Sequence, residues 1–326
     1  MLEKLTVVVP SRLHLTLLAM HSGEYRMNGG IGFAIKNPCA RLGFTKSEKF
    51  EIKDLRSSSI SLVEKERLSL ILEAACVQNK FDKAFKVSIE GNMLTHFGFG
   101  SGTAITLACI EALHLLNDYP IAQDVLIQAS GRGGTSGVGI YTYFDGGGIF
   151  DLGKPIDDTK HLPSSLVRSR SLPLLLDQFM MPEWDIGICI PRKIPNKSQI
   201  EEQEFFKRAC PISANSVYET TYHTLFGLYG ALKENNKSTF CSALKAIQEC
   251  TWKQLEREEY GQALMDIETS LYLCGAQAVG MSSLGPSLFF LAENVDEVII
   301  EMQKLSVDCE LFVTQPQNHG RTIKHD

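Results

Sequence analysis

"HFGFGSGTA", from His96 to Ala104, decides how this chain is read. Gly98, Gly100 and Gly102 alternate with Phe99 and Ser101. The run then continues as "ITLACIEALHLLN" to Asn117, apolar on nearly every side. The pattern predicts a glycine-rich loop entering a buried helix. Such a loop leaves free backbone N–H groups at the positive end of the helix dipole, which suits a phosphate. A tight strand–helix turn with no ligand accounts for the same residues. No Lys follows the last glycine, so this is not a Walker A loop, and the spacing is not GxGxxG.

Two other glycine stretches follow it in sequence. "GRGGTSGVGIYTYFDGGG" (Gly131–Gly148) encloses Arg132, Thr135 and Ser136, and "VGIYTYF" reads as a strand resuming after it. A linker would mix its glycines with Ser, Pro and charge in a looser pattern. An anion cradle would combine backbone donors with an arginine and two hydroxyls; a tight turn is the plainer alternative. "GMSSLGPSLFF" (Gly280–Phe290) reads as a polar turn before an apolar strand. His14 lies in the alternating "SRLHLTL", and His96 opens the first loop. Asp145 and Asp151 are the acids near the glycines, and either could hold a metal ion on a phosphate or simply serve a turn. HExxH, GxSxG and metal-spaced His/Cys sets do not occur.

Working outward, "KLTVVVP" predicts a strand stopped by Pro10, and "RLHLTLL" continues the sheet. "MNGGIGFAI" predicts a turn at Asn28–Gly30 and then a strand. "RLGFTKSEKFEIKDL" alternates as a hairpin would, and "KERLSLILEAACVQN" has helical spacing. "PIAQDVLIQASGRGG" reads as a helix, and "GIYTYFDGGGIFDLG" as a glycine-punctuated hairpin. The segment after Lys154, with Pro155, Pro163 and Pro173, reads as a linker or surface excursion. "EWDIGICIP" opens a second set of elements as a strand. Residues 200–275 read as largely helical, and residues 287–316 as strand, helix, strand.

Composition sets the class. The 326 residues carry a net charge of −6, with 44% hydrophobic and 21% charged residues, ordinary for a soluble globular chain. A nucleic-acid or membrane-surface binder would want a basic face, so neither partner is expected. The nine cysteines are odd in number, lack CxxC spacing and lie mostly in apolar runs, as buried thiols of a reducing cytoplasm would. The first residues do not read as a signal peptide, and no run suits a transmembrane helix. The expected location is cytoplasmic.

"PSRLHLTL" (Pro10–Leu17), "HFGFGSGTA" and "GMSSLGPSLF" (Gly280–Phe289) together resemble the three motifs of the GHMP kinase superfamily, in that order. "GRGGTSGVG", "GGIG" (Gly29–Gly32), "EEQEFF" (Glu201–Phe206) and "FVTQPQNHG" (Phe312–Gly320) resemble its non-kinase branch, the β-ribofuranosylaminobenzene 5′-phosphate synthase family. The resemblance covers nearly the whole chain. It implies an α+β fold with a ribosomal S5 domain 2-like N-terminal domain and a ferredoxin-like C-terminal domain, divided here as residues 1–165 and 166–326.

The resemblance implies an enzyme, a decarboxylating phosphoribosyl transferase. It would join phosphoribosyl diphosphate to 4-aminobenzoate, 4-hydroxybenzoate or a related acid, releasing CO2 and diphosphate, as on the route to methanopterin. Its roles are carried over as follows. Gly98, Gly100, Ser101, Gly102 and Thr103 cradle the diphosphate with Mg2+. Arg132, Gly133, Gly134, Thr135 and Ser136 contact the phosphoribosyl group or the carboxylate. Ser11, Arg12, His14, Arg26 and Asn28 line the acceptor side. Ser282, Ser283 and Gly285 close the cleft. Arg132, His14, Arg12, Arg26 and Asn28 form the expected catalytic set, with Asp145 a candidate metal ligand. A homodimer is expected. Asp is usual in that family where this chain has Asn28, and an acid or His with two glycines where it has "DGGG", which leaves the acceptor open. GHMP kinases usually carry an acid after the second motif, but "GGTSGVGIYTY" has none before Asp145. A kinase would lack its usual base, whereas losing CO2 replaces losing a proton in a ribosyl transfer. An ATP-dependent small-molecule kinase and a synthase of C-nucleoside antibiotics with a heteroaromatic acceptor are the alternatives, with a non-catalytic phosphate-sensing protein a third class.

Overall fold

A computed structural model describes residues 2–156, 160–163 and 171–325. The element order is β1 (Lys4–Ala19), β2 (Arg26–Ser47), β3 (Glu51–Asp54), α1 (Leu62–Asn79), β4 (Ala84–Gly91), α2 (Ser101–Leu116), α3 (Gln123–Ser130), α4 (Val138–Phe144), β5 (Gly148–Asp151), β6 (Lys154–Pro155) and β7 (Leu175–Phe179). There follow β8 (Ile186–Pro191), α5 (Gln199–Ala209), α6 (Ala214–Tyr222), a π-helical stretch His223–Tyr229, α7 (Gly230–Lys233), α8 (Lys237–Glu249), α9 (Thr251–Glu258) and α10 (Gly261–Leu273). The chain ends with β9 (Ala278–Met281), β10 (Leu288–Leu291), α11 (Val295–Lys304), β11 (Cys309–Thr314) and β12 (Thr322–His325).

Two sheets organise the fold. The first runs β12-β1-β2-β4-β3, with β5 and β6 paired to β2 and β7 to β5; the second runs β11-β8-β10-β9. The first core packs β1, β2 and β4 against α2, whose residues are buried on nearly all sides as its apolar sequence requires. A second core fills the space between the second sheet and helices α10 and α11. A smaller cluster of Leu17, Met20, Phe205, Phe206, Trp252 and Leu284 joins β1 to α5 and α9, just beneath the cleft described below. Strands β7 and β12, beyond the expected division at residue 165, belong to the first sheet. Part of the expected linker, 157–159 and 164–170, lies outside the described residues.

Several local expectations are corrected. Pro10 does not stop β1; the strand runs through it with a register shift between Pro10 and Ser11. The expected turn at Asn28–Gly30 lies inside continuous strand β2, where Asn28 and Gly29 take positive φ without ending the ladder. The segment Arg41–Leu55 is no hairpin. β3 pairs β4 in parallel, because α1 intervenes as the crossover that a parallel pair needs. "VGIYTYF" is helix α4, not strand. Its β-branched and aromatic residues favour a sheet, yet Val138, Ile140, Tyr143 and Phe144 are buried in the helix, and Thr142 donates to the Val138 carbonyl at 2.6 Å. Of the cysteines, Cys109, Cys189, Cys241 and Cys250 are buried, while the other five are partly exposed.

Candidate active site

The three glycine stretches meet in one cleft. Strand β1 supplies its floor. The Arg12 amide donates to the Phe99 carbonyl at 3.1 Å, and its Nη1 donates to the Gly98 carbonyl at 2.6 Å. The Ser282 hydroxyl, fully buried, donates to the same Gly98 carbonyl at 2.7 Å and accepts from the His14 amide at 3.1 Å. The Ser283 amide donates to the His14 carbonyl at 3.1 Å. β1, the first glycine loop and the 282–285 turn are thus stitched together by backbone groups and the side chains of Arg12 and Ser282.

Glycine is required at two of these points by close approach. A Cβ at Gly98, whose φ is +89°, would strike the Ser282 carbonyl; one at Gly285 would strike the Gly98 amide. Gly100 ends the loop in a left-handed conformation and caps α2 without a side-chain bond, so no side chain occupies the first amides of this 16-residue helix. Arg132 lies across that end. Its guanidinium is 3.5 Å from where a Gly102 Cβ would stand, and Nη2 donates to Thr106 Oγ1 at 3.2 Å. Arg12 and Arg132 are both desolvated by burial, which lowers each to about 10, yet both stay cationic at neutral pH. A helix N-terminus between two half-buried guanidiniums is a site for an anion.

The cleft has two lobes. An outer lobe of about 110 Å³ is lined by the Gly98–Thr103 loop, Arg132, Lys197 and the 283–285 turn. An inner chamber of about 80 Å³ is lined by His14, Thr135, Ser136, Gly139 and the apolar Leu17, Ile140 and Phe206. Arg12, Thr103, Glu202, Ser283 and Leu284 border both. His14 is neutral: burial, then Arg12 and Lys253, pushes its pKa well below the usual range. Its Nε2 is 3.2 Å from Ser136 Oγ, which in turn donates to Asp151 at 2.8 Å.

The expected residues divide accordingly. Arg12, His14, Gly98, Gly100, Ser101, Gly102, Thr103, Arg132, Gly133, Thr135, Ser136, Ser283 and Gly285 line the cleft. Ser282 sits one layer behind. Arg26, Asn28, Ser11, Gly134 and Asp145 do not line it. Arg26 donates to the carbonyls of Leu152 and Gly153 at 2.9 and 2.7 Å. Asn28 is buried; its Nδ2 donates to the Gly134 carbonyl at 2.9 Å and its Oδ1 lies 2.8 Å from His161 Nδ1. It therefore supports the second glycine stretch from behind. Ser11 Oγ is buried without a hydrogen-bond partner among the described residues. Asp145 is exposed at the C-terminal end of α4, the opposite end from Ser136.

The cleft also contains acids that the sequence reading did not single out. Glu202, in the quoted "EEQEFF", borders both lobes, and its carboxylate has no hydrogen-bond partner among the described residues; burial raises its pKa against the pull of His96, Arg12 and Arg132. Glu256 faces the inner chamber, held by Trp252 Nε1 at 2.9 Å and by the fully buried Lys253 at 2.5 Å. Glu64 borders the outer lobe and pairs with His96 at 2.8 Å. Acids thus reach the cleft from α1, α5 and α9 and not from the segment after the second motif. No group of three or more His, Cys, Asp or Glu that could hold a metal occurs among the described residues. Glu202 and the hydroxyl-bearing Ser101 and Thr103 are among the residues that line the outer lobe, and oxygen donors of this kind suit a hard cation such as Mg2+.

Comparison with known proteins agrees with this architecture. Residues 69–146 match the GHMP kinases N terminal domain. The chain is 29% identical to a beta-ribofuranosylphenol 5′-phosphate synthase of Methanothermobacter thermautotrophicus, over 98% of each chain. It is 27% identical to the enzyme of that name from Archaeoglobus fulgidus, over 97% of this chain and 98% of that protein. Among solved structures, homoserine kinase from Cytophaga hutchinsonii superposes with a TM-score of 0.70 at 15% identity, covering 99% of this chain and 98% of that one. Mevalonate diphosphate decarboxylase from Staphylococcus aureus gives 0.67 at 12%, over 99% and 98%. The fold is that of the GHMP kinases, and the expected resemblance to the synthase branch holds over the full length. No helix among the described residues is long and apolar enough to cross a membrane.

Proposed function

We propose that this chain, built on the GHMP kinase fold, is a decarboxylating C-ribosyl transferase that joins phosphoribosyl diphosphate to 4-hydroxybenzoate, 4-aminobenzoate or a closely related aromatic acid. The observation that carries the reading is the pairing of a polyanion lobe with an aromatic-sized chamber. The open end of α2 lies between Arg12 and Arg132, and a partly apolar chamber adjoins it across Arg12 and Thr103. The full-length similarity to two named synthases supports it.

In this reading, the ring carbon that bears the carboxylate attacks C1 of the ribose. The C1–O bond breaks, and its electron pair leaves with diphosphate. The bond to the carboxylate then breaks, its electrons restore the aromatic ring, and CO2 departs. No proton need be taken from the ring carbon. The protein's task is to hold the two substrates in line and to stabilise the leaving charge. The α2 amides, Arg12 and Arg132 do the second. Leu17, Ile140 and Phe206 pack the ring and exclude water. Mg2+, held by Glu202, Ser101 and Thr103, would neutralise charge on the diphosphate.

The test is to incubate the protein with phosphoribosyl diphosphate, Mg2+ and either benzoate, with ATP alone as control. Diphosphate and CO2 released in equal amounts would support the reading. Binding of ATP with phosphoryl transfer to a small alcohol, and no CO2, would overturn it in favour of a kinase.

A further inference from the structure

Asp151, at the end of β5, is fully buried and gathers donors from three directions. It accepts from Ser136 Oγ at 2.8 Å, from the Gly137 amide at 3.0 Å and from the Gly153 amide at 2.9 Å, with the Gly30 amide adding to them. Burial raises its pKa to about 6, so it is a carboxylate at neutral pH. A carboxylate only accepts, so the single Ser136 hydroxyl proton points at Asp151. The Ser136 lone pairs are left for the Val138 amide at 3.1 Å and for His14 Nε2 at 3.2 Å. His14 Nε2 must then carry the hydrogen. The ring is neutral, so Nδ1 is bare, and it has no hydrogen-bond partner among the described residues.

We propose that Asp151 is a positioning residue: through Ser136 it fixes His14 in the Nε2–H tautomer, so that Nδ1 offers the inner chamber a hydrogen-bond acceptor for the ring hydroxyl or amino group of the aromatic acid. The ligand half of this statement rests on the proposed function; the tautomer half does not. The seat of the ring is specific. A Cβ at Gly30 would stand 2.9 Å from His14 Nε2 and 2.6 Å from the Thr16 carbonyl, so only glycine leaves the ring its place. The backbone of His14 is pinned on both sides by Ser282 and Ser283. The other charged groups around the ring are Arg12 on β1, Lys253 and Glu256 on α9 and Glu202 on α5. An acceptor nitrogen attracts an O–H or N–H and repels a carboxylate. The ring therefore enters with its hydroxyl or amino end toward His14 and its carboxyl-bearing carbon toward the arginines and the sugar.

The test is a pair of variants, Asp151→Asn and Ser136→Ala, each checked for a wild-type melting profile. The first replaces the carboxylate with a neutral amide, whose single acceptor oxygen can no longer serve Ser136 and the backbone amides on both sides together. The second removes the link while leaving Asp151 in place. The first readout is the ¹⁵N spectrum of histidine-labelled protein, with the His14 signal assigned by its loss in His14→Gln. The expected result is the Nε2–H tautomer in the wild type, and loss of that preference in both variants. The second readout is the ratio of affinities for 4-hydroxybenzoate and 4-methoxybenzoate, which should fall at least about tenfold in both variants, with phosphoribosyl diphosphate binding unchanged in Asp151→Asn, whose side chain lines neither lobe of the cleft. An Nδ1–H or protonated His14 in the wild type at neutral pH overturns the proposal. So does a tautomer and ligand ratio unmoved in both variants. If the tautomer behaves as expected but the wild type binds neither benzoate, the positioning role stands and the functional reading fails.

Discussion

Arg132 is where glycine chemistry and charge coincide: an arginine enclosed by glycines stands out in the sequence as a turn residue or an anion ligand, and in the structure it lines the cleft. Among the described residues its guanidinium makes one side-chain bond, to Thr106, and it lies against the α2 N-terminus. Replacing it with alanine should lower kcat/KM at least about tenfold with an unchanged melting temperature, since a bond to a charged group contributes about 1.5–3 kcal/mol. Near-wild-type turnover would remove Arg132 from the site. Glu202 and Glu256 were not legible as site residues, because an isolated acid in a sequence carries no sign of which loop it will face; Asp151 was read as a metal ligand or a turn residue, whereas its carboxylate accepts from Ser136 and backbone amides. The Glu64–His96 pair shows how far such partners lie apart. Burial pushes Glu64 up, but its bonds from His96 and Ser61 outweigh this and leave it at about 2; the Glu64 bond in turn raises His96. The carboxylate's contribution is present above its ordinary 4.5 and is lost as pH falls toward 2. The imidazolium's is present below its ordinary 6.5 and is lost as pH rises through the raised value. Melts of wild type and His96→Ala should therefore differ most between about pH 4.5 and 6.5, by about 1 kcal/mol, and converge above and below. A gap independent of pH would mean that the pair is held by packing alone.

At the scale of elements, the sequence was most readable where one signal dominated. The all-round apolar run of α2 could only be a buried helix, and the β10–α11–β11 pattern alternates cleanly. It failed where two structures share one pattern. Alternation at Arg41–Leu55 fits a hairpin as well as two strands joined by a crossover, and only the tertiary position of α1 separates them. "VGIYTYF" carries strand propensity into a helix because its apolar residues fit the space between α2 and β5. The three glycine stretches were each readable as turns; their function lies in how they touch. Gly285 is the sharpest case, with φ outside the left-handed region and the backbone of Phe97 and Gly98 directly against it. Gly285→Ala should force the 282–285 turn away from the first loop, at a cost of about 1–3 kcal/mol, and should raise the KM for phosphoribosyl diphosphate more than it lowers kcat. A thermal melt and saturation kinetics test this together. An unchanged melt would show that the turn does not dock as described.

On the scale of the whole molecule, the last strand returns to the first. After the second sheet is complete, β12 pairs with β1, Leu5 opposite His325. Nothing in "HGRTIKHD" announced this strand, because its partner lies some three hundred residues earlier in the sequence. The return also solves a problem set by α2. Glu111 is buried in that otherwise apolar helix, and a lone buried carboxylate would be costly. Arg321, just before β12, reaches Glu111 with Nη2 and, at 3.1 Å, with Nε, while the Tyr143 hydroxyl donates to the same carboxylate at 2.5 Å. The Arg321 guanidinium also lies over the rings of Tyr143 and Phe144, 5.5 and 5.0 Å from their centroids, and its amide donates to the Tyr143 carbonyl at 2.7 Å. The C-terminal segment thus closes the first core from outside. Arg321→Ala should leave Glu111 with Tyr143 alone and destabilise the protein by about 3–5 kcal/mol, far more than loss of an exposed arginine would. Adding Glu111→Gln should recover part of the loss, because the neutral amide no longer needs a counter-charge. Denaturant unfolding of the single and double variants decides between charge and packing. Recovery identifies the buried charge as the cause, whereas no recovery would assign the loss to the missing guanidinium contacts with the two rings.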